Sequence, residues 1–336
     1  MKNLRAGLIG LGAISSLHAD AIRQTEGVVL HSACDVNRKL LGDFCRLNAD
    51  RGFVDYRDLF NDGVDVAVVC LPHYLHYKAG MTALEKGCHL VMEKPFAVSM
   101  KECRDLQEAA GRKDVKIMIA DSAYYEPKIR KAREIVQSGK MGSFISGACI
   151  NYKDFYFGPE RPAWFLDPKK SGGGQLMNVG VHRIAATRAV LGKKETEVKA
   201  SVVNPDKKKY RVDAHGTVFI RYAGGAAFIL EDLGYYKASP DMERCFHFNF
   251  ENGIINLSGK LNVVHKDGRT EYPEMPGEGL NPYQLHYREL VRAIEENREP
   301  YPGAVEGMRD VMVILAAYES ARTGREVRLN TAGWKI

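Results

Sequence analysis

Residues 4–15 read Leu4-Arg5-Ala6-Gly7-Leu8-Ile9-Gly10-Leu11-Gly12-Ala13-Ile14-Ser15. The first six residues are an apolar, β-rich run, and a helical pattern extends from Ile14 to Gln24. A glycine-rich turn between a strand and a helix is the arrangement that places a pyrophosphate on the helix N-terminus. This stretch therefore predicts the first βαβ unit of a dinucleotide-binding domain.

The turn contributes four candidate cofactor-binding residues, Gly10, Gly12, Ala13 and Ile14. Gly10 permits the tight turn, and Gly12 lets the backbone approach the pyrophosphate. The third position of the pattern is usually Gly or Ala. Here it is Ser15, which is small enough for close packing of the helix against the strand.

Asp35 ends the second β-rich run, 25 residues after Gly10. A carboxylate there accepts hydrogen bonds from the adenosine ribose and repels a 2′-phosphate, which favours NAD over NADP. Arg38 is the opposing signal, because a nearby arginine accommodates that phosphate. The alternative for Asp35 is a turn or capping role. We expect NAD as the cofactor.

Strand-like and helical patterns alternate through about the first 122 residues. The further predicted strands are Val28–Cys34, Val64–Leu71, His89–Met92 and Lys116–Ala120, and Tyr77–Lys86 is a predicted helix. Ser99 and Glu102 form a capping box that begins another helix. The alternation predicts an α/β fold with a doubly wound parallel sheet, and we place an NAD-binding Rossmann domain at residues 1–122.

The pattern changes after residue 122. One amphipathic helix, Lys128–Ser138, precedes alternating runs, and two helices, Pro282–Glu296 and Ala304–Thr323, follow them. The runs are Ser143–Asn151, Val198–Val203, Ala214–Tyr222, Ala226–Leu233, Cys245–Glu251 and Gly253–Leu257. Glycine-containing turns between several runs indicate hairpins. Residues 123–336 therefore read as a second, α+β domain with a large, mostly antiparallel sheet.

Composition excludes several classes of protein. No run approaches the roughly 20 apolar residues that a membrane helix needs, and Met1 enters a strand-like run with no room for a signal peptide. Seven scattered cysteines without a C-x-x-C pair indicate a reducing, cytoplasmic compartment and no structural zinc. The net charge of +6 is mild, and the basic stretch 207–209 reads as a solvated loop, so we expect no nucleic-acid partner.

Four later motifs carry a family resemblance. They are Cys70-Leu71-Pro72-His73-Tyr74-Leu75-His76, then Gly87-Cys88-His89-Leu90-Val91-Met92-Glu93-Lys94-Pro95, then Ser171-Gly172-Gly173-Gly174 with His182, and Tyr318-Glu319-Ser320-Ala321. The chain resembles the glucose-fructose oxidoreductase / inositol dehydrogenase / rhizopine-catabolism (GFO/IDH/MocA) family over nearly its whole length. The resemblance implies a Rossmann domain and a C-terminal domain whose open sheet face makes a homodimer or homotetramer interface.

Lys94 follows the carboxyl end of a predicted central strand, where open α/β sheets hold their ligands. A cation there stabilises a developing alkoxide. The resemblance implies that Lys94 reaches both the reacting oxygen and the nicotinamide ribose, and that the Lys94–Pro95 peptide is often cis. The alternative is a surface lysine in a salt bridge with Glu93.

The resemblance also implies a set of residues along the cofactor. These are Cys70, Leu71, Pro72, His73, His76 and Glu93. The spacing of the two histidines suggests metal ligands, but no cysteine or carboxylate constellation accompanies them, so we predict no metal site.

Asn178 and His182 are separated by four residues in a helical pattern, Gln175–Leu191, and so share a face. Removal of a hydride from an alcohol needs a base, and imidazole titrates in the right range. The resemblance makes His182 that base and Asn178 a catalytic and substrate contact. Many polyol-oxidising members have aspartate at the Asn178 position, and their frequent aspartate three residues after the histidine is Ala185 here. Asparagine cannot stabilise an imidazolium by charge, and the Asn/His pair is similar to that of the sugar-nucleotide 3-dehydrogenases.

Residues 151–165 are aromatic, with basic residues between the rings. Pyranose faces pack well on aromatic rings, so Tyr152, Arg161 and Trp164 are candidate substrate contacts. The equal alternative is that the rings, including Phe155 and Phe157, pack in the core or at an interface.

These patterns together predict an NAD-dependent oxidoreductase. The expected reaction moves a hydride between nicotinamide and a secondary ring hydroxyl of a sugar, a sugar derivative or a cyclitol. Two alternatives stay open: an enzyme of the same scaffold that retains NAD and cleaves a glycosidic bond, and a non-enzymatic regulator that binds NAD and a sugar. A regulator has no need of an acid–base pair such as Lys94 and His182.

Overall fold

A computed structural model describes residues 3–152, 161–208, 210–234, 245–277 and 279–330. The chain divides into two compact units. The first comprises Met1–Tyr125 and Gly279–Arg309, and the second comprises Glu126–Glu278 and Asp310–Ile336.

The first unit contains a six-stranded, wholly parallel sheet with strand order β3-β2-β1-β4-β5-β6. Its strands are β1 (Leu4–Ile9), β2 (Val28–Cys34), β3 (Arg51–Phe53), β4 (Val66–Val69), β5 (His89–Glu93) and β6 (Ile117–Ala120). Strands β4 and β6 are buried along their whole length, as expected of a sheet covered on both faces. The predicted doubly wound α/β fold is confirmed, with β3 as an additional short edge strand.

Helices alternate with these strands. They are α1 (Ser15–Arg23), α2 (Arg38–Asn48), α3 (Tyr56–Asn61), α4 (His73–Glu85) and α5 (Met100–Lys113), followed by a 3₁₀ turn at Ser122–Tyr125. The predicted cap is present at α5, where the Ser99 side chain accepts from the backbone N–H of Glu102 at 3.3 Å. The Glu102 carboxylate reaches the backbone N–H of Val98, one residue earlier than the capping-box pattern indicates.

The first unit also includes a segment from late in the chain, with α9 (Pro282–Glu295). Tyr287 and Leu290 of this helix are buried in the same hydrophobic core as Leu8 and Ile22. The sequence-based division kept residues 123–336 in one domain, and the structure differs because an apolar face of α9 packs in the first core. Local sequence patterns do not show which hydrophobic core a helix distant in the chain packs against.

The second unit contains a nine-stranded sheet with strand order β14-β13-β12-β11-β7-β10-β9-β8-β15. Its strands are β7 (Phe144–Tyr152), β8 (Glu195–Val203), β9 (His215–Tyr222), β10 (Ala227–Leu233), β11 (Cys245–Phe250), β12 (Gly253–Asn256), β13 (Asn262–His265), β14 (Thr270–Glu271) and β15 (Val327–Arg328). Strands β7 and β10 pair in parallel, and the other pairs are antiparallel. The predicted, mostly antiparallel sheet is confirmed.

One face of this sheet is buried, and the other is partly exposed. Phe228 and Leu230 on β10 are each 1% exposed, whereas Ile229 between them is 44% exposed. This alternation is typical of an antiparallel sheet with a single packed face. The helical segments of this part of the chain are α6 (Pro127–Gln137), a 3₁₀ turn (Ala163–Leu166), α7 (Pro168–Ser171), a π-helical turn (Leu176–Gly180), α8 (Val181–Leu191), a 3₁₀ turn (Ala223–Gly225) and α10 (Ala304–Thr323). The division between the two units falls within α10.

All seven cysteines are free thiols. Within the described ranges, no helix combines the length and the apolar character that crossing a bilayer requires.

Candidate active site

The glycine turn has the backbone that a phosphate-binding loop needs. Gly10 has φ of 89°, and a Cβ there would lie 2.6 Å from the carbonyl oxygen of Cys70. A side chain is excluded at this position by both conformation and space. Gly12 and Ala13 are exposed, and a Cβ on Gly12 would meet no atom within 4 Å. The backbone at Gly12 is therefore open for a ligand to approach.

Ser15 is the departure from the usual turn pattern, and its contacts explain why it is tolerated. The side chain is 3% exposed, and its Oγ donates to the carbonyl oxygen of Gly12 at 2.7 Å. This hydrogen bond closes the turn. The Gly or Ala that is usual at this position has no side-chain group that could form it. No side chain caps α1 at Ile14, and the positive end of the helix dipole at this turn suits an anion.

Asp35 links the end of β2 to this turn. Its Oδ2 accepts from the backbone N–H of Leu11 at 2.8 Å, and its Oδ1 accepts from that of Asn37 at 2.8 Å. Each carboxylate oxygen has a second lone pair for a further donor. Arg38 is exposed at the first position of α2. The open turn and this acidic residue fit a dinucleotide.

Lys94 follows β5 directly, at the carboxyl edge of the parallel sheet. The Lys94–Pro95 peptide is cis, in agreement with the family resemblance. The backbone N–H of Lys94 donates to Oε2 of Glu93 at 3.2 Å. The Glu93 side chain is buried, so its carboxylate acts inside the fold and not as a surface partner.

His76 holds the segments on either side of this edge together. One ring nitrogen lies 2.9 Å from the carbonyl oxygen of Pro95, and the other lies 2.8 Å from that of Leu71. Burial lowers the pKa of His76 below the usual histidine value. Because both nitrogens face backbone carbonyls, the structure favours a positioning role for His76 over direct contact with a ligand. The His73 ring packs edge-on against it, with centroids 5.7 Å apart.

In the second unit, one buried carboxylate organises the glycine run. Asp213 accepts from the backbone N–H groups of Gly174 at 2.5 Å and Leu176 at 2.9 Å, and from the Tyr318 hydroxyl at 2.7 Å. Burial raises the pKa of Asp213 above the usual aspartate value, while these hydrogen bonds oppose the shift. Gly173 has φ of 158°, and a Cβ there would overlap the Tyr318 hydroxyl.

Sequence patterns missed Asp213. It lies just before β9 with no spacing that links it to the glycine run, although its partners Gly174 and Tyr318 each belong to a motif quoted above.

The segment that contains Asn178 is a π-helical turn, Leu176–Gly180, which leads into α8. The predicted helical pattern Gln175–Leu191 is helical, and its first part is a π-helical turn instead of an α-helical one. Its start is anchored to the sheet, because the backbone N–H of Gln175 donates to the Asp213 carbonyl oxygen at 2.9 Å. π-Turns often occur at functional sites. Asn178 is 6% exposed, and His182 in the first turn of α8 is partly exposed.

Asp232 lies in the sheet beneath the π-turn. Its Oδ1 accepts from the side-chain amides of Asn151 and Gln175, both at 2.8 Å. A Cβ on Gly180 would lie 3.2 Å from the other carboxylate oxygen. Burial raises the pKa of Asp232 to about 6, although the two amides and the charge of Arg183 lower it. Sequence patterns missed this buried carboxylate because it occupies an ordinary strand position.

The predicted aromatic substrate contacts are only partly described. Residues 153–160, including Phe155 and Phe157, lie outside the described residues, as does Lys209. Trp164 is partly exposed and packs against Phe165, with ring centroids 4.2 Å apart, and the Arg161 guanidinium lies 5.8 Å from the Phe165 ring. Arg161 and Trp164 therefore both lie beside Phe165.

Tyr152 ends β7, next to Asn151. The Asn151 side chain is buried on the face where Gln175 and Asp232 meet it, and successive strand residues point to opposite faces. The strand thus directs Tyr152 away from the face that the π-turn covers. This placement gives no support to a shared substrate contact with Asn178.

Comparison with known proteins agrees with this architecture. Residues 4–121 match the oxidoreductase family GFO/IDH/MocA, NAD-binding Rossmann fold, and residues 129–255 match the GFO/IDH/MocA C-terminal domain. The chain belongs to this family. Within the described residues, no group of three or more His, Cys, Asp or Glu side chains is placed to hold a metal ion.

Relatives within the family carry several activities. Myo-inositol 2-dehydrogenase of Thermotoga maritima is 24% identical over 340 residues, which covers 97% of each chain. D-xylose 1-dehydrogenase [NADP(+)] of Haloarcula marismortui is 23% identical over 286 residues, covering 80% of this chain and 76% of that protein. Among solved structures, levoglucosan dehydrogenase in complex with NADH and levoglucosan has a TM-score of 0.87 at 22% identity, covering 97% of this chain and 99% of that one.

Proposed function

We propose that this protein is an NAD-dependent dehydrogenase that oxidises a secondary ring hydroxyl of a sugar, a sugar derivative or a cyclitol. The observation that carries the proposal is the carboxyl edge of the parallel sheet. There, an open glycine turn braced by Asp35 lies on the same sheet edge as a lysine that follows β5. The first feature suits a dinucleotide, and the second suits an oxygen that becomes negative during reaction.

The residues that would hold NAD are those of the turn, with Asp35 toward the adenosine ribose and the segment 70–73 along the cofactor. When bound, the nicotinamide ring supplies the acceptor for the hydride. The Asp35 carboxylate supports NAD over NADP because a 2′-phosphate would meet a negative charge. Arg38 is the first residue of α2. Its guanidinium is the group that would bind the 2′-phosphate in a variant that prefers NADP.

The chain's own residues divide the proton chemistry. His182 accepts the hydroxyl proton, and the Lys94 ammonium stabilises the alkoxide that forms. Asn178 donates or accepts a hydrogen bond to orient the substrate or the imidazole, and it adds no charge. Asn178 therefore cannot itself stabilise a positive imidazolium on His182 by charge.

The substrate class rests on the shared chemistry of the relatives. The names of the relatives cited above include a xylose, an inositol and a levoglucosan dehydrogenase. Each of these substrates presents secondary hydroxyls on a ring. Arg161 and Trp164, which both lie beside Phe165, would offer a cation and an aromatic face to such a ring.

Absorbance at 340 nm tests the proposal directly. Purified protein is mixed with NAD or NADP and a panel of inositols, aldoses, uronic acids and nucleotide-linked sugars. We expect steady NADH formation with one substrate class, and loss of it in Lys94→Met. Lys101→Met is the matched control, because that lysine is exposed and pairs with Asp105 on α5.

The outcomes separate the alternatives. Cleavage of a glycoside without NADH accumulation would indicate an enzyme that retains its cofactor. Tight NADH binding with no turnover of any substrate would indicate a regulator. Either result would overturn the dehydrogenase assignment.

We also propose a homodimer or homotetramer in a reducing, cytoplasmic setting. The partly exposed sheet face supports the first point, with Val203, Ile229 and Ile254 exposed by 38–44%. Seven free thiols support the second. Light scattering on wild type and Ile229→Glu tests the interface, and a monomeric wild type would contradict it.

A further inference from the structure

His18 is a fully buried histidine in the helix that begins at the glycine turn. Its Nε2 lies 3.0 Å from Oε1 of Glu93, and its Nδ1 lies 2.7 Å from the Tyr287 hydroxyl. Neither the sequence motifs nor the proposed chemistry accounts for this histidine. Buried polar groups of this kind are costly unless each is bonded, so the arrangement needs an explanation.

The three side chains come from three separate elements. His18 belongs to α1, Glu93 ends β5, and Tyr287 belongs to α9, which returns to the first unit late in the chain. The Glu93 carboxylate also accepts the backbone N–H of Lys94 through its second oxygen. One carboxylate therefore contacts both the cofactor-binding helix and the backbone of Lys94.

For a neutral imidazole beside an ionised carboxylate, one arrangement of hydrogens satisfies both contacts of the ring. An ionised carboxylate only accepts, so the Nε2 of His18 carries a hydrogen and donates to Glu93. In the neutral ring, Nδ1 is then an acceptor, and the hydroxyl of Tyr287 donates to it. Burial raises the pKa of Tyr287 well above the usual tyrosine value, which keeps that hydroxyl available as a donor.

The surroundings of Glu93 agree with one fixed pattern of hydrogens. Burial raises the pKa of Cys70 and lowers that of His286 to about 4, so the thiol keeps its hydrogen and the imidazole stays neutral near pH 7. Tyr283 packs its ring edge-on against His18, with centroids 5.0 Å apart. Asp121 contributes a backbone carbonyl that faces His286 at 3.1 Å, and its carboxylate accepts from the backbone N–H of Ala123.

We propose that Tyr287, His18 and Glu93 form a positioning relay that ties the backbone of Lys94 to the cofactor-binding helix. The relay couples occupation of the glycine turn to the placement of Lys94, and its importance for turnover rests on the dehydrogenase function proposed above. Tyr287 hydrogen-bonds Nδ1 and orients the His18 ring, His18 orients the carboxylate of Glu93, and Glu93 accepts the backbone N–H of Lys94. All three are positioning residues, since each acts through the next.

A double-mutant cycle tests the relay through cofactor binding. The variants are Tyr287→Phe, Glu93→Gln and the double variant, and the readout is the dissociation constant of NADH from nicotinamide fluorescence. Each single change conserves side-chain volume, and melting temperatures confirm folding. Tyr283→Phe is the matched control, because it removes a hydroxyl from the same helix one turn earlier.

We expect each single variant to weaken NADH binding by about threefold to tenfold, within the range of coupled buried networks. The dissociation constant of NADH from the double variant should be at most about twofold higher than that from the weaker-binding single variant, because both substitutions act through one imidazole. Tyr283→Phe should change the constant by less than about twofold. With a substrate in hand, kcat should fall in the single variants while the KM for substrate stays nearly constant.

Two results would overturn the relay: strictly multiplicative effects in the double variant, or wild-type NADH affinity and kcat in Tyr287→Phe. These results differ from failure of the proposed function. A protein that shows the coupling in NADH affinity but oxidises no substrate keeps the relay and loses the dehydrogenase assignment. An active dehydrogenase in which the two substitutions act multiplicatively on NADH affinity keeps the dehydrogenase assignment and loses the relay.

Discussion

The backbone N–H of Leu11 donates to the carboxylate of Asp35 at 2.8 Å, across the carboxyl ends of two neighbouring strands. The residue expected to select the cofactor is therefore also a brace for the glycine turn. We therefore expect its removal to change both the choice between NAD and NADP and the strength of cofactor binding.

Asp35→Ser should narrow the preference for NAD over NADP by about tenfold or more, because a repulsive charge worth on the order of 1–2 kcal/mol is lost. NAD binding itself should weaken, since Leu11 loses its acceptor. The measurement is kcat/KM with each cofactor. Adding Arg38→Ala to Asp35→Ser should reverse the gain in kcat/KM with NADP. An unchanged ratio of kcat/KM for NAD and NADP in Asp35→Ser would contradict the role of Asp35 in selecting the cofactor.

Gly10→Ala should lower the stability of the protein, whereas Gly12→Ala should lower its affinity for NADH. At Gly10 a methyl group meets the Cys70 carbonyl oxygen at positive φ, so the free energy of unfolding should fall by about 1–3 kcal/mol. At Gly12 the methyl group meets nothing, so stability should hold while NADH affinity falls about tenfold. Thermal unfolding and NADH titration measure the two effects. Unimpaired NADH binding in Gly12→Ala would place the pyrophosphate elsewhere.

His182→Ala should lower kcat by about 10²–10⁴-fold if the imidazole is the base. The acidic limb of the pH–rate profile should disappear with it. His265→Ala is the control, because that histidine lies on β13 beside Glu271. A loss of less than about tenfold would remove His182 from the reaction.

Tyr318→Phe should destabilise the second unit by about 1–3 kcal/mol, because Asp213 keeps its burial and loses one donor. The start of the π-turn that contains Asn178 depends on the same carboxylate, so kcat should fall as well. Chemical denaturation and steady-state kinetics measure both effects. The exposed Tyr272→Phe is the control, and equal behaviour of the two variants would contradict a role for the Asp213 cluster.

Asp232→Asn should stabilise the protein in a pH-dependent way. Burial raises the pKa of Asp232 in the fold from 3.8 to about 6, so the folded protein binds this proton more tightly than the unfolded chain. The resulting stabilisation is complete below about pH 4 and is lost as the pH rises through 6. The variant should therefore gain up to about 3 kcal/mol relative to wild type at pH 8 and little at pH 4. A pH-independent difference would contradict this, and the exposed Asp267→Asn should show none.

The conformation of the glycine turn could be predicted because it depends on local sequence. A strand, two glycines and a helix contiguous in sequence dictate one backbone path, and Gly10 occupies the left-handed conformation expected of it. The buried carboxylates Asp213 and Asp232 could not be predicted, since their partners lie 37 and 57 or more residues away. His18 is of the same kind, because its partners are 75 and 269 residues away.

The sequence by itself determined the two classes of sheet, the position of the glycine turn and the lysine that follows β5. Periodicity and short motifs report these features, because they depend on hydrogen bonding and side-chain direction over a few residues. Tertiary structure decided that α9 returns to the first core, that Leu176–Gly180 is a π-turn, and which buried groups brace Lys94 and Asn178. Those features depend on packing and hydrogen bonding between segments far apart in the chain, and no local pattern specifies such pairings.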